Sequence, residues 1–146
     1  MHWLSERLRD LHARHQRYST LRQDRIARGI DVADPEEVQL RGTFFSALRG
    51  LLREVATRPG VTACFAEHDG LLVDCVGDPE DADGLAAMAQ TVIVPARRAS
   101  QATRLGGLDQ MVMVGASHKL ALILVGEVSL GILAPTHVHL ARVLQS

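Results

Sequence analysis

Residues 78–107 read DPEDADGLAAMAQTVIVPARRASQATRLGG, and the way this stretch folds governs the rest of the chain. Asp78 is suited to cap a helix, Pro79 to the first helical position, where no amide hydrogen is needed, and Glu80, Asp81 and Asp83 to the positive end of the macrodipole. Gly106 is suited to the left-handed conformation that ends a helix after Leu105. The pattern predicts a helix over 79–105, about 40 Å long at about 1.5 Å per residue. Its middle, from Leu85 to Ala96, is apolar except for Gln90, Thr91 and the proline at 95. An ordinary surface helix carries one apolar stripe. This one is apolar almost all round and needs cover on two sides. Pro95 removes the hydrogen bond to the Thr91 carbonyl and predicts a kink over Val92–Pro95. Arg97, Arg98 and Arg104 read as a solvated last turn.

Upstream, Val61–Glu67 and Leu71–Val76 are short β-like runs separated by His68-Asp69-Gly70, and Asp-Gly is a strong hairpin signal. A two-residue turn would set Cys64 opposite Cys75, and a three-residue loop would set it opposite Asp74. Two reduced, half-buried thiols are the expectation. Before the hairpin, Asp34-Pro35-Glu36-Glu37 repeats the capping logic and opens a helix over 35–57, closed by Pro59-Gly60. Its stripe is Phe45, Leu48, Leu52 and Val55, widened by Phe44 and Leu51, and Gly42, Ser46 and Gly50 stand four apart. At the start, Trp3, Leu4, Leu8, Leu11, His15, Tyr18 and Leu21 recur at helical spacing, giving a first helix over about 2–28, ended by Gly29. Three readings of this helix stand side by side: packing on its own domain, an arm around a partner or second subunit, or a basic helix for nucleic acid or a lipid surface. For the first, large apolar residues Leu4, Leu8, Leu11 and Tyr18 would dock on the small-residue stripe Gly42, Ser46 and Gly50.

Downstream, Leu108–Gly115, Lys119–Val125 and Val128–Ala134 read as three strands of a meander, so continuously apolar that both faces need cover. The chain closes with a short helix from Pro135 through Val138, Ala141 and Leu144. The order is helix, helix, hairpin, long helix, three strands and a closing helix, divided as an N-terminal helical extension, 1–33, and a domain, 34–146.

With 146 residues and 47% hydrophobic content, the chain is long enough to bury a core without disulfides or metal. A formal charge of −1 does not suit a general polyanion binder. Residues 1–31 nevertheless hold seven arginines against four acids, and 61–96 hold seven acids and no Lys or Arg. Two cysteines and the lack of a signal-peptide pattern indicate a reducing cytoplasm. The longest apolar run, Leu120–Ala134, is broken by Gly126-Glu127 and falls short of the roughly 20 residues of a membrane span. No local signature joins a nucleophile, a base and an orienting group. Gly106-Gly107 precedes a strand, the wrong context for a phosphate loop. His137 with His139, and His12 with His15, make only pairs and read as surface or capping residues. Few aromatics are present to stack single-stranded nucleic acid. No catalytic residue, metal ligand or cofactor site is therefore assigned.

From about Ala47 onward the chain resembles the roadblock/LC7 family: LREV…PGV before the first strand, the hairpin EHDGLLVDC, the acidic helix start DPEDADGLAAMA, the strand MVMV, the apolar LALILV, and LGILAP before a final helix. The resemblance implies an α+β, profilin-like, three-layer domain with a five-stranded antiparallel sheet and helices on both faces, to which the N-terminal helix is extra. It implies a homodimer in which the central helix and the following strand of two subunits meet in one continuous sheet. The seam would comprise Ala86, Ala89, Ile93 and Ala96 with Met111, Val112 and Met113. It further implies a non-enzymatic cytoplasmic scaffold whose partners are a second copy of itself and a small Ras-like GTPase that it is a candidate to regulate, with no nucleic acid and no membrane insertion. Two other readings are a purely structural assembly module and a small-molecule sensor of the PAS or profilin-like type.

Overall fold

The computed structural model describes residues 3–144. The chain runs α1 (Trp3–Ala27), α2 (Pro35–Ala56), β1 (Ala63–His68), β2 (Leu71–Gly77), α3 (Ala82–Ala102), β3 (Gln110–Val114), β4 (His118–Val125), β5 (Val128–Pro135) and α4 (Leu140–Val143). The expected start of the first helix at residue 2 lies outside the described residues. The strands form one antiparallel sheet in the order β2-β1-β5-β4-β3. Alternate residues of the central strands point to opposite faces. Cys64, Ala66, Ala121, Ile123, Leu130 and Ile132 share one core with Phe44, Leu48 and Leu52 of α2 and Leu11 and Tyr18 of α1. Phe65, Leu120, Leu122 and Leu124 form the other core with Ala89 and Ile93 of α3. Helices thus cover both faces, as the unbroken apolarity of β4 and β5 demands.

Local chemistry fixes the element ends. Asp34 accepts a hydrogen bond from the Glu37 amide at 2.8 Å, with Pro35 in the first turn of α2. The expected start of the central helix moves downstream: Asp81, not Asp78, is the cap and accepts from the Gly84 amide at 2.9 Å. The acidic run offers two caps, and residues 78–80 are used to leave edge strand β2. The end also moves. Arg104, not Gly106, is the first residue beyond α3 with a left-handed backbone, at φ 58°. The Leu105 and Arg104 amides return to the Ser100 and Gln101 carbonyls at 2.9 and 3.2 Å, closing the helix after Ala102. The helix continues through Pro95, the position at which a kink is expected, up to Ala102. Pro95 and Thr91 are both exposed, so water can satisfy the carbonyl that proline leaves unpaired. The closing helix starts at Leu140, five residues later than expected, because Pro135 completes β5.

The β1–β2 hairpin has a two-residue turn, with Asp69 at φ 53° and Gly70 at φ 82°, the signs of a type I′ turn. A register shift between Ala66 and Glu67 nevertheless makes Cys64 face Val76, and Cys75 face Phe65. The extra residue, Val73, puts the thiols in different cores, so neither pairing expected for Cys64 forms.

α1 docks on its own chain. Leu11 and Tyr18 are buried, and Leu4 and Leu8 pack against the same core. Arg7 bonds Glu54 at 2.7 Å, Arg25 bonds Glu37 at 2.8 Å, and Arg22 pairs with Glu127. The small-residue stripe is not the surface that receives it. Gly42 and Ser46 are exposed, and nothing lies within 4 Å of a Cβ built at Gly42 or Gly50. Contact is made instead by a ring cluster: His15, Tyr18 and Phe44 have centroids 5.0 to 5.5 Å apart. The glycine that allows close approach is Gly126 in the β4–β5 turn, where a Cβ would come within 2.3 Å of the His15 ring and where φ is +60°.

Gly42→Ala should therefore raise stability by about 1 kcal/mol through helix propensity alone, whereas Gly126→Ala should lower it. Urea midpoints for the two variants check both signs.

His15 supplies a pH dependence. Its Nε2 is buried without a hydrogen-bond partner, and burial pushes the imidazole below its ordinary value, against an upward pull from Glu127. The folded chain favours the neutral ring, so the unfolded chain takes up protons first as pH falls below about 6.5. The contribution is complete above that pH and is lost as pH falls toward the lower folded value. In urea titrations from about pH 7.5 to about pH 5.5, wild type should lose more stability than His15→Asn. Equal slopes would place the dependence elsewhere.

Candidate interaction surfaces

The described residues converge on no nucleophile and base pair. Cys64 is fully buried, its thiol donates to the Leu52 carbonyl at 2.9 Å, and burial pushes it up to about 12. No group of three or more His, Cys, Asp or Glu that could hold a metal ion occurs among the described residues. His12, His137 and His139 are not buried, and His15 belongs to the α1 ring cluster. Among the described residues no helix is long and apolar enough to cross a membrane.

One carboxylate is fully buried. Glu67 accepts from the Gly70 amide at 2.7 Å, from Gln90 Nε2 at 2.9 and 3.1 Å, and from the Ser129 hydroxyl. It ties the hairpin turn, β5 and α3 together, and these bonds offset the cost of burying a charge. Sequence reasoning took Glu67 as the end of a strand. A polar residue at an inward position of β1, with Gln90 interrupting the apolar run of α3, was the available signal.

The surfaces left open lie along β3 and beside α3. As the last strand in the sheet order, β3 has one unpaired edge among the described residues. Met111 and Met113 turn inward to the α3 core, while Val112 and Val114 are 56% and 67% exposed. On the α1 side, Val112 borders an apolar groove of about 320 Å³ whose walls include Leu4, Ile123, Leu140 and Leu144. The residues expected at a seam thus divide. Ala86, Ala89 and Ile93 are completely buried within the chain itself and are not available to a second copy, Ala89 and Ile93 lying in the core with Phe65 of β1 and Leu120, Leu122 and Leu124 of β4. Ala96 is half-buried, and Val94, one residue after Ile93, is 43% exposed. The apolar helix is covered on one side by its own sheet and is partly open on the other.

Residues 49–134 match the Roadblock/LC7 domain. Among solved structures, a roadblock/LC7 domain from Streptomyces avermitilis is 26% identical, covering 65% of this chain and 80% of that one at a TM-score of 0.56. Myxococcus xanthus MglB, at 16% identity and a TM-score of 0.62, covers 68% and 77%. The gliding protein MglB of Thermus thermophilus, at 19% identity and a TM-score of 0.53, covers 68% and 78%. No curated protein matches the sequence. The domain match spans more than half of the chain and takes in all five strands and α3, so the chain belongs to the roadblock/LC7 family.

Proposed function

We propose that this chain is a non-enzymatic homodimeric scaffold that binds a small Ras-like GTPase and regulates it, with any nucleotide hydrolysis done by the partner. The observation that carries the reading is the unpaired edge of β3, which exposes Val112 and Val114 on the α1 side of the sheet. Exposed edges are ordinarily blunted by charge, proline or a bulge. β3 has none of these, since Gln110–Val114 is uncharged and pairs with β4 in unbroken register. A second copy added edge to edge would satisfy the free backbone groups and bury the valines, each worth up to about 1.5–3 kcal/mol when fully covered. The likeness to MglB proteins and the family's role as a GTPase platform support the choice of partner. The thiols, held in separate cores, suit a cytoplasmic chain. Residues 1–33 are read as an extension that is nevertheless part of the folded unit, because Leu11 and Tyr18 enter the same core as α2.

Val112→Asp places a charge at the seam and not in the core of one chain. It should give a monomer in sedimentation velocity, with helical content unchanged by circular dichroism, where wild type should sediment as a dimer. Ile93→Asp should instead unfold the chain, since that side chain is fully buried. A wild-type monomer at micromolar concentration would refute the seam.

For the partner, the purified dimer should recover a GTP-loaded or GDP-loaded Ras-like protein from the source lysate, identified by mass spectrometry, and should turn over no GTP alone. Turnover by the chain itself, abolished by one side-chain substitution, would overturn the scaffold reading.

A further inference from the structure

A second surface lies on the opposite side of the sheet from α3. Two hollows of about 520 and 310 Å³ share Arg41 and Phe45 as common walls, and together they run from the α1–α2 junction to edge strand β2. The first adds Arg22, Arg25 and Val38, and the second adds Arg49, His68 and Leu71. Arg22 is held by Glu127 and Arg25 by Glu37, while Arg49 stands 4.0 Å from Asp74. Arg41 lies over the Phe45 ring at 5.2 Å and forms no ion pair among the described residues. His68 stands 3.7 Å from Asp69 and 3.3 Å from Glu127, so four arginines and a histidine face four carboxylates, and Arg41 is the guanidinium left without one among the described residues. The same walls expose large apolar side chains, with Leu71 74% and Val38 60% accessible.

We propose that this groove docks an acidic segment of a partner protein, its carboxylates on Arg41 and Arg49 and an apolar side chain against Phe45 and Leu71. Charge complementarity selects the occupant, because a guanidinium already oriented on an aromatic ring and lacking an acid presents its donors for a carboxylate. Arginine and aromatic residues side by side in a concave site are the composition that carries most binding energy in protein interfaces. The bulge at Val73 disfavours simple addition of a strand to β2, so recognition falls to side chains. A membrane surface would not fill a concave groove with an aromatic wall. The proposal is independent of the GTPase reading, which concerns α3 and β3.

The test is selection of a displayed library of random short peptides on the intact protein. Three variants of exposed residues go alongside: Arg41→Glu with Arg49→Glu, Leu71→Ser, and Arg97→Glu with Arg98→Glu as a charge-matched change on α3. Enriched peptides should combine acids with an apolar residue. Their binding should fall roughly tenfold or more, about 1.4 kcal/mol, on the Arg41/Arg49 variant. It should fall on Leu71→Ser and stay unchanged on the Arg97/Arg98 variant, while thermal unfolding is the same for all. Failure to enrich acidic peptides, or an equal loss on the Arg97/Arg98 variant, would overturn the groove. So would Arg41-dependent binding to phosphatidylserine vesicles without peptide enrichment, or self-association abolished by the Arg41/Arg49 change. The last would make a second copy the occupant.

Discussion

The structure depends on a sheet whose inner strands are apolar on both faces. β4 buries every residue from Leu120 to Val125, and β5 every residue from Val128 to Ile132. At about 1.5–3 kcal/mol for each large apolar side chain, leaving either face to water would cost more than a small domain's whole stability margin. Two helical layers follow from this. α3 closes one face through Ala86, Ala89 and Ile93, and α2 with α1 closes the other through Phe44, Leu48, Leu52, Leu11 and Tyr18. The extra N-terminal helix is therefore a structural layer.

Polar contacts set the register of these layers more than they add to their stability. The exposed pair Arg7–Glu54 contributes about 0–1 kcal/mol at most. Arg25–Glu37 is nearly buried, so losing one partner would strand a charge. Arg22 pairs with Glu127, whose carboxyl is held below its ordinary value chiefly by the hydrogen bond from Arg22. On the other face Glu67 does the corresponding work, joining the hairpin turn to α3 through Gln90 and to β5 through Ser129. Arg7, Arg22 and Arg25 are thus occupied within the fold.

The two-layer arrangement leaves two kinds of surface, and they differ in chemistry. At one edge of the sheet, β3 is uncharged and apolar, suited to a symmetric contact made largely by backbone pairing and valine burial. Beside α2, the groove bordered by Arg41 and Phe45 is concave and presents the guanidinium of Arg41, suited to a carboxylate of a partner. They lie toward opposite edges of the sheet, β3 and β2, so both can be occupied at once.

The sequence by itself determined the elements, their order and the family. Asp-Pro and Asp-Gly signals act within a few residues, and the apolar periods of α2, β4 and β5 report burial directly. It also determined that helices lie on both faces, since strands with no polar side admit no other arrangement. What only the tertiary structure decided was how these elements meet. One extra residue at Val73 separated Cys64 from Cys75, a detail invisible to counting from the turn. Asp81 won the cap over Asp78 because the chain first had to leave the sheet edge, and Arg104 took the left-handed position ahead of Gly106. The glycine stripe at 42 and 50 looked like a docking surface by composition, yet the close approach is at Gly126, 111 residues from His15 in sequence and in contact with it in space. Ile93 looked like a seam residue because the helix is apolar all round, and only its packing against Phe65 and Leu122 showed which side of α3 its own chain consumes. Glu67 and the Arg41 groove were equally hidden, because a buried carboxylate and a hollow exist only once distant segments are brought together.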